Sequence, residues 1–271
     1  MKYQYVHGIR LPKIGFGTWK IGGGASANSK KDPASLAALR SALEIGYTHI
    51  DTAEMYAAGH AEELIGSVVQ DMHIPRESLF ITSKVLPSHL AYHEVLKACE
   101  ASLRRLKMDY LDLYLIHWPH QDMNLSETFR ALNKLVRDGK VRHLGVSNFD
   151  LPLLKRSQEY SERPIVTNQV PLSLSNKTHL RNGIQKYCQA NQILLTAYSP
   201  LEEGRLASSR IVEDIARTHR ATIPQIALAW IISHPFVITI PMSGNPVHQK
   251  ENFDAAEIEL TEGEIRRLSA D

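Results

Sequence analysis

The sequence predicts an α/β fold: a closed (β/α)8 barrel, the TIM-barrel architecture, entered through a short N-terminal β-hairpin. Three observations predict it. Short apolar, β-branched runs alternate with longer stretches of helical period along the chain. Eight such runs fit into 271 residues, a usual length for one such barrel. The fingerprint of the competing open, doubly wound sheet fails. Its place would be Gly15-Phe16-Gly17-Thr18-Trp19-Lys20, where the third glycine is missing and Trp19 would collide with a pyrophosphate.

Taken in order, residues 3–6 and 9–11 flank His7-Gly8 and read as a hairpin. Runs at 14–17, 47–51, 79–82, 111–116, 142–146, 165–168, 193–197 and 237–240 read as strands. They are nearly continuous in apolar character, as parallel strands buried on both faces must be. Helical patterns fill the gaps at 33–44, 61–69, 92–106, 126–137, 151–160 and 178–190, then 208–220 with 224–232, and finally 261–269. Asp32-Pro33 reads as an N-cap followed by proline at the first helical position. Asp138-Gly139 closes a helix whose last turn carries Arg137. No linker or low-complexity tract interrupts the series, so residues 1–271 read as a single domain.

Composition narrows the function classes. Apolar residues are 43% and charged residues 22%, the values of a soluble globular chain. The charge balance is 31 − 29 = +2, which gives no footprint for nucleic acid or an anionic membrane. Cys99 and Cys188 stand outside any CxxC pattern and read as free thiols of a reducing compartment. The N-terminus lacks the apolar core of a signal peptide, and the most apolar stretch, 223–242, is broken by Gln225, Ser233, His234 and Pro235. The expectation is a cytoplasmic protein. His89 and His93 are four residues apart but lack an HExxH pattern, so no metal site is expected.

A barrel enzyme collects its chemistry at the C-terminal ends of the strands. Strand two ends in Asp51, strand three in Lys84 and strand four in His117, with Tyr56 in the loop after strand two. Each alone would be a cap or a solvated side chain. Together, on adjacent strand ends, they suit protonation of an alkoxide as it forms. A lysine beside the phenol is expected to lower its pKa, and the aspartate to hold that lysine charged. The histidine can donate a hydrogen bond to a carbonyl oxygen. Such a set lacks a source of electrons, so a hydride-bearing cofactor is implied. Ser147-Asn148 and Gln169 end strands five and six, where amide groups recognise an amide through paired donors and acceptors. Tyr198 follows strand seven, where its face could support a flat ring.

The motifs that frame these residues are Gly15-Phe16-Gly17-Thr18-Trp19, Asp51-Thr52-Ala53-Glu54-Met55-Tyr56, Ile81-Thr82-Ser83-Lys84, His117-Trp118-Pro119, Gly145-Val146-Ser147-Asn148-Phe149, Asn168-Gln169 and Tyr198-Ser199-Pro200-Leu201. In this order the chain resembles the aldo-keto reductases, from Ile14 to the C-terminus. The resemblance implies NAD(P)H-dependent, reversible reduction of aldehydes and ketones, with hydride from nicotinamide C4 and the proton from Tyr56. It makes Tyr56 the general acid, tuned by Lys84 and Asp51, and has His117 orient the carbonyl. It places Gly17, Thr18, Trp19 and Asp51 near the nicotinamide ribose. Ser147, Asn148 and Gln169 would hold the carboxamide, with Tyr198 stacked on the ring and Ser199, Pro200 and Leu201 beside it. The rest of the dinucleotide would lie along Ile240, Pro241, Met242, Ser243, Gly244, Asn245, His248, Glu251 and Asn252.

Two departures stand out. Met242 and His248 occupy positions where many relatives carry the lysine and arginine that hold the 2′-phosphate of NADP. NADP(H) use is therefore expected, with weakened selectivity over NAD(H). The segment after Leu201 is also too short for a long belt over the cofactor, as is the C-terminal tail for a substrate loop. An open pocket lined by Trp19, Tyr56, Leu86, His117 and Trp118 follows, accepting a broad range of small carbonyl substrates. The Gly/Ser-rich stretch 22–31 reads as a mobile surface loop beside it. The resemblance makes a monomer the default. The alternatives are a cofactor-binding regulatory subunit on the same scaffold and a barrel hydrolase or isomerase. The latter leaves Ser147-Asn148, Gln169 and Tyr198 unexplained.

Overall fold

The computed structural model describes residues 1–206 and 209–270. Strands β1 (Tyr3–Val6) and β2 (Ile9–Pro12) pair antiparallel across His7-Gly8 as the expected hairpin. The barrel strands are β3 (Phe16–Gly17), β4 (His49–Asp51), β5 (Phe80–Val85), β6 (Leu111–Ile116), β7 (Val141–Ser147), β8 (Ile165–Pro171), β9 (Leu194–Tyr198) and β10 (Val237–Thr239). They pair in sequence order, all parallel. The ends then meet. Gly15 N–H donates to Thr239 O at 2.8 Å and Thr239 N–H to Lys13 O at 2.9 Å, closing the (β/α)8 barrel.

The helices between them are α1 (Asp32–Ile45), α2 (His60–Asp71), α3 (Tyr92–Leu106), α4 (Leu125–Arg137), α5 (Leu151–Tyr160), α6 (Thr178–Arg181), α7 (Ile184–Ala190), α8 (Arg210–His219) and α9 (Ile223–Ser233). After β10 come α10 (Pro246–Asp254) and α11 (Glu262–Ala270). Where the structure differs from the sequence reading, the reason is local. Strand β5 runs past the apolar run 79–82, through the polar but fully buried Ser83 and Lys84, to Val85, one residue beyond the expected strand end. The expected helix 178–190 splits at Asn182-Gly183, where Gly183 takes φ 88°. The N-cap of α1 is Lys31, not Asp32. Asp32 is the first helical residue, and its carboxylate turns to His60 instead. Ser208, the first residue of the expected helix 208–220, lies outside the described residues.

Two packings position the site. Between strands and helices lies the main apolar core. Inside the barrel, Val6 and Leu11 of the hairpin cluster with Leu113, Leu115, Val166, Leu194 and Ile238. The hairpin thus plugs the N-terminal mouth with apolar side chains, and the strand C-termini are left to face a different environment.

Candidate active site

All eight barrel strands deliver expected residues to one mouth. Asp51 is the last residue of β4, and Lys84 the last but one of β5. His117 directly follows β6, Ser147 ends β7, Gln169 lies near the end of β8, and Tyr198 ends β9. Thr18 and Trp19 follow β3. Pro241 joins from beyond β10, accepting from Gly17 N–H at 3.1 Å. A Cβ on Gly17 would stand 2.5 Å from Ile240 O, so this close approach of backbones requires glycine there.

Lys84 is completely buried. Its Nζ donates to Asp51 Oδ1 at 2.5 Å, to Thr52 O at 2.8 Å and to Tyr56 Oη at 3.4 Å. Burial pulls its pKa down, but Asp51 and Tyr56 together outweigh burial, so the ammonium is retained. The expected lowering of the Tyr56 pKa does not occur. Lys84 does favour the phenolate, but burial acts more strongly the other way, and the net shift is upward. Tyr56 therefore keeps its proton until a strong base is presented. Rings crowd around it. The centroids of Trp19 and His117 lie 5.2 and 5.8 Å from that of Tyr56, and Trp118 stacks on His117 at 4.0 Å. Burial, then Lys84, pushes the His117 pKa down to about 2. The imidazole is neutral and its Nδ1 has no partner among the described residues.

Ser147, Asn148, Gln169 and Tyr198 are wired to this set. Gln169 Nε2 donates to Asp51 Oδ2 at 2.9 Å. Ser147 Oγ donates to Gln169 O, also at 2.9 Å. Asn148, held at φ 61°, donates to Ser147 Oγ at 3.0 Å and to His117 O at 3.1 Å. Tyr198 Oη donates to Asn148 Oδ1 at 2.9 Å. One chain of hydrogen bonds thus runs from Tyr198 to Tyr56. Gln169 uses one amide group on Asp51, a contact that strand-end reasoning did not foresee.

The remaining expected residues are less tightly gathered. Leu86, just beyond β5, is half-buried; its N–H donates to Glu54 Oε1 at 2.6 Å. Glu54, which sequence reasoning missed, also accepts from His89 at 3.1 Å. Its place directly after Asp51-Thr52-Ala53 was the available signal. Beyond β10, Met242 and Ser243 are half-buried, Gly244, Asn245 and His248 exposed, and Asn252 buried. Asn245 caps α10, its Oδ1 accepting from Val247 N–H at 2.9 Å. After Leu201, the chain folds back with Glu202 and Glu203 at positive φ, and Glu203 pairs with Lys20 at 2.7 Å. That exposed bridge joins the loops after β3 and β9. Among the described residues, no cluster of three or more His, Cys, Asp or Glu could hold a metal ion. Two surface hollows, one of them bordered by His7 and His143, contain none of the acid–base groups above.

Residues 13–270 match the Aldo/keto reductase family, and the chain belongs to it. A relative at 39% identity is the methylglyoxal reductase YeaE of Escherichia coli K12, the alignment covering 98% of this chain and 92% of that protein. The glyoxal reductase of Bacillus subtilis is 36% identical, covering 97% and 90%. Among solved structures, the thermostable aldo-keto reductase Tm1743 in complex with epalrestat superposes with TM-score 0.97 at 44% identity, covering 100% of this chain and 99% of that one. An aldo/keto reductase from Klebsiella pneumoniae, in complex with NADP and acetate, reaches TM-score 0.86 at 37% identity, covering 96% and 91%.

Proposed function

We propose that the protein reduces small aldehydes and ketones, reversibly, with NADP(H) as the favoured cofactor. The observation that carries the reading is the buried Asp51–Lys84–Tyr56 relay beside a neutral His117. A regulatory subunit without turnover would not need a buried lysine held against a protonated phenol.

The donor set fits a dinucleotide. Ser147, Asn148 and Gln169 present hydroxyl and amide groups within one network, and the half-buried Tyr198 ring lies beside them. These would hold a nicotinamide carboxamide and ring. When bound, the reduced nicotinamide supplies hydride from its C4. The protein's own part is to place the substrate and move one proton. His117 donates its single N–H to the carbonyl oxygen. Trp19, Leu86 and Trp118 border the substrate and limit water. As negative charge grows on that oxygen, Tyr56 releases its proton, and the Lys84 ammonium steadies the phenolate that remains. Asp51 keeps Lys84 in place, and Gln169 keeps Asp51 in place.

The substrate class is small carbonyls, including the α-dicarbonyls named for the relatives. Among the described residues no helix is long and apolar enough to cross a membrane. In this reading the chain is one barrel domain, working as a monomer in the cytoplasm. The large exposed apolar side chains, Tyr3, Tyr5, Tyr160 and Val247, are dispersed over β1, α5 and α10 rather than joined in a face.

NADPH oxidation with a reactive aldehyde tests the reading, comparing wild type with Tyr56→Phe. We expect turnover in the first and a loss of about 10²-fold or more in the second. Equal rates overturn the role of Tyr56. Cofactor choice is tested by fluorescence titration. Lacking cations at Met242 and His248, the protein should prefer NADPH over NADH by less than about a thousandfold, since each missing charge-assisted bond removes roughly 1.5–3 kcal/mol. A steeper preference refutes the role given to those two positions.

A further inference from the structure

The turn that presents Tyr56 is strained. Ala57 (φ 51°, ψ 36°) and Ala58 (φ 54°, ψ 37°) are left-handed, and Gly59 follows at φ 93°. For alanine each such residue is unfavourable by about 1–2 kcal/mol, so the surroundings must hold the turn in place. One holding bond is plain: Ala57 N–H, directly after Tyr56, donates to Gly24 O at 2.8 Å.

Gly24 belongs to the Gly/Ser-rich stretch 22–31, which was expected to be a mobile loop. The structure instead folds it on itself. Asn28 N–H donates to Gly22 O at 2.7 Å, Gly23 bridges to Ala27, and Gly22 N–H donates to Ser35 Oγ at 3.0 Å. The start of the stretch, and Asp32 directly after its end, then meet one side chain, His60, the first residue of α2. At the start, a Cβ on Gly22 would stand 2.9 Å from His60 Cδ2 and 3.1 Å from a Leu64 methyl, so Gly22 packs directly on the ring. Just past the end, His60 Nε2 meets Asp32 Oδ1 at 2.9 Å, and its Nδ1 meets Glu63 Oε2 at 2.7 Å.

We infer that His60 is a positioning residue for the reduction: it staples the stretch 22–31, whose Gly24 carbonyl holds the strained turn behind Tyr56. The inference rests on the reading of Tyr56 as the proton donor. His60 touches neither substrate nor cofactor site residues in any observed bond. It acts through the loop.

The chemistry of the staple makes it sensitive to pH. Both ring nitrogens face carboxylates, Asp32 from α1 and Glu63 from the next turn of α2. Arg105 of α3 packs against Gly59, the residue before His60, but its charge is bound by Glu62. Only the imidazolium can donate to both carboxylates at once. The Glu63 hydrogen bond, and then Asp32, raise the His60 pKa against burial. With the folded pKa raised, the staple is complete below the ordinary value of about 6.5 and weakens as pH rises through the folded one.

The test compares wild type, His60→Ala and Asp32→Asn over a pH series, with Tyr56→Phe alongside. Readouts are kcat/KM for an aldehyde, the solvent deuterium isotope effect on it, and the NADPH Kd. We expect both staple variants to lose about 10- to 100-fold in kcat/KM, the scale of a misplaced catalytic group. We also expect a larger solvent isotope effect, because the proton step becomes harder, with NADPH Kd held within about twofold. We expect the wild-type rate to decline as pH rises through the raised His60 pKa, and that decline to be absent from His60→Ala. Asp32→Asn keeps the test open if the alanine variant does not fold. Wild-type kcat/KM and isotope effect in the folded staple variants overturn the positioning role, while Tyr56 stands if Tyr56→Phe is impaired. A fully active Tyr56→Phe overturns both.

Discussion

On β5, adjacent residues serve two acid–base pairs built on buried carboxylates. Lys84 reaches Asp51 at the barrel mouth; Ser83 reaches Glu62 of α2, which is bound by Arg105 of α3. The alternation of side chains along a strand sends the one inward and the other into the helical layer. Both carboxylates are buried, with Arg105 partly exposed, yet the pairs differ in what is left over. Glu62 has each oxygen satisfied, by Ser83 Oγ at 2.6 Å and Arg105 Nε at 2.7 Å. Lys84 places its third, long bond on a titratable phenol at the mouth, beside the ring of His117, whose Nδ1 has no partner among the described residues. Glu62–Arg105 is closed and holds helices to a strand. Asp51–Lys84 is open at one end, toward the Tyr56 phenol proposed above as the proton donor.

Substitution should separate them. The largest effect is expected from Lys84→Met, which strands Asp51 in the interior. Denaturant titration should show a loss of about 3–5 kcal/mol, and kcat/KM should fall about 10²- to 10⁴-fold. Activity near wild type would erase the distinction between the pairs. A sharper contrast comes from two isosteric changes, one in each pair. Asp51→Asn should reduce kcat/KM about 10²-fold, and Glu62→Gln should leave it within about twofold, as for sites with no shared partners. A comparable loss in both would mean that the outer pair also serves the chemistry.

The smallest effect concerns stability against pH. Burial raises the Glu62 pKa, and Arg105 and the serine hydroxyls only partly offset it. The folded protein then binds more protons than the unfolded chain above the ordinary glutamate value of about 4.3. This group's contribution should be full below that value and decline as pH rises through the folded pKa. Comparing the unfolding free energy of wild type and Glu62→Gln across that range should remove this component. An unchanged slope would show that Glu62 is charged throughout.

Much of this was legible in the sequence because it is written locally. The apolar runs gave the strands, and Asp51, Lys84 and His117 stood where those runs ended. The misreadings also have local causes. Ser83 and Lys84 fall outside the apolar run 79–82 although β5 includes them, since polarity reads as exposure when the partners lie elsewhere in the chain. Asp32-Pro33 was mistaken for a cap because nothing local reveals that His60 claims the carboxylate. The loop 22–31 looked slack because its composition is that of slack loops, whereas its restraint comes from Ala57 and His60, more than 25 residues away.

By itself, then, the sequence determined the closed barrel, the order of its strands and the residue types at its mouth, since periodicity and strand ends are properties of neighbouring residues. Only the tertiary structure decided how those groups behave. It set the direction of the Tyr56 pKa, where burial prevails over the nearby ammonium. It joined Gln169 to Asp51 across 118 positions of chain. It also bent the turn after Tyr56 into a conformation that alanine does not choose. Desolvation and long-range contacts act only once the chain has closed, so no local pattern could have contained them.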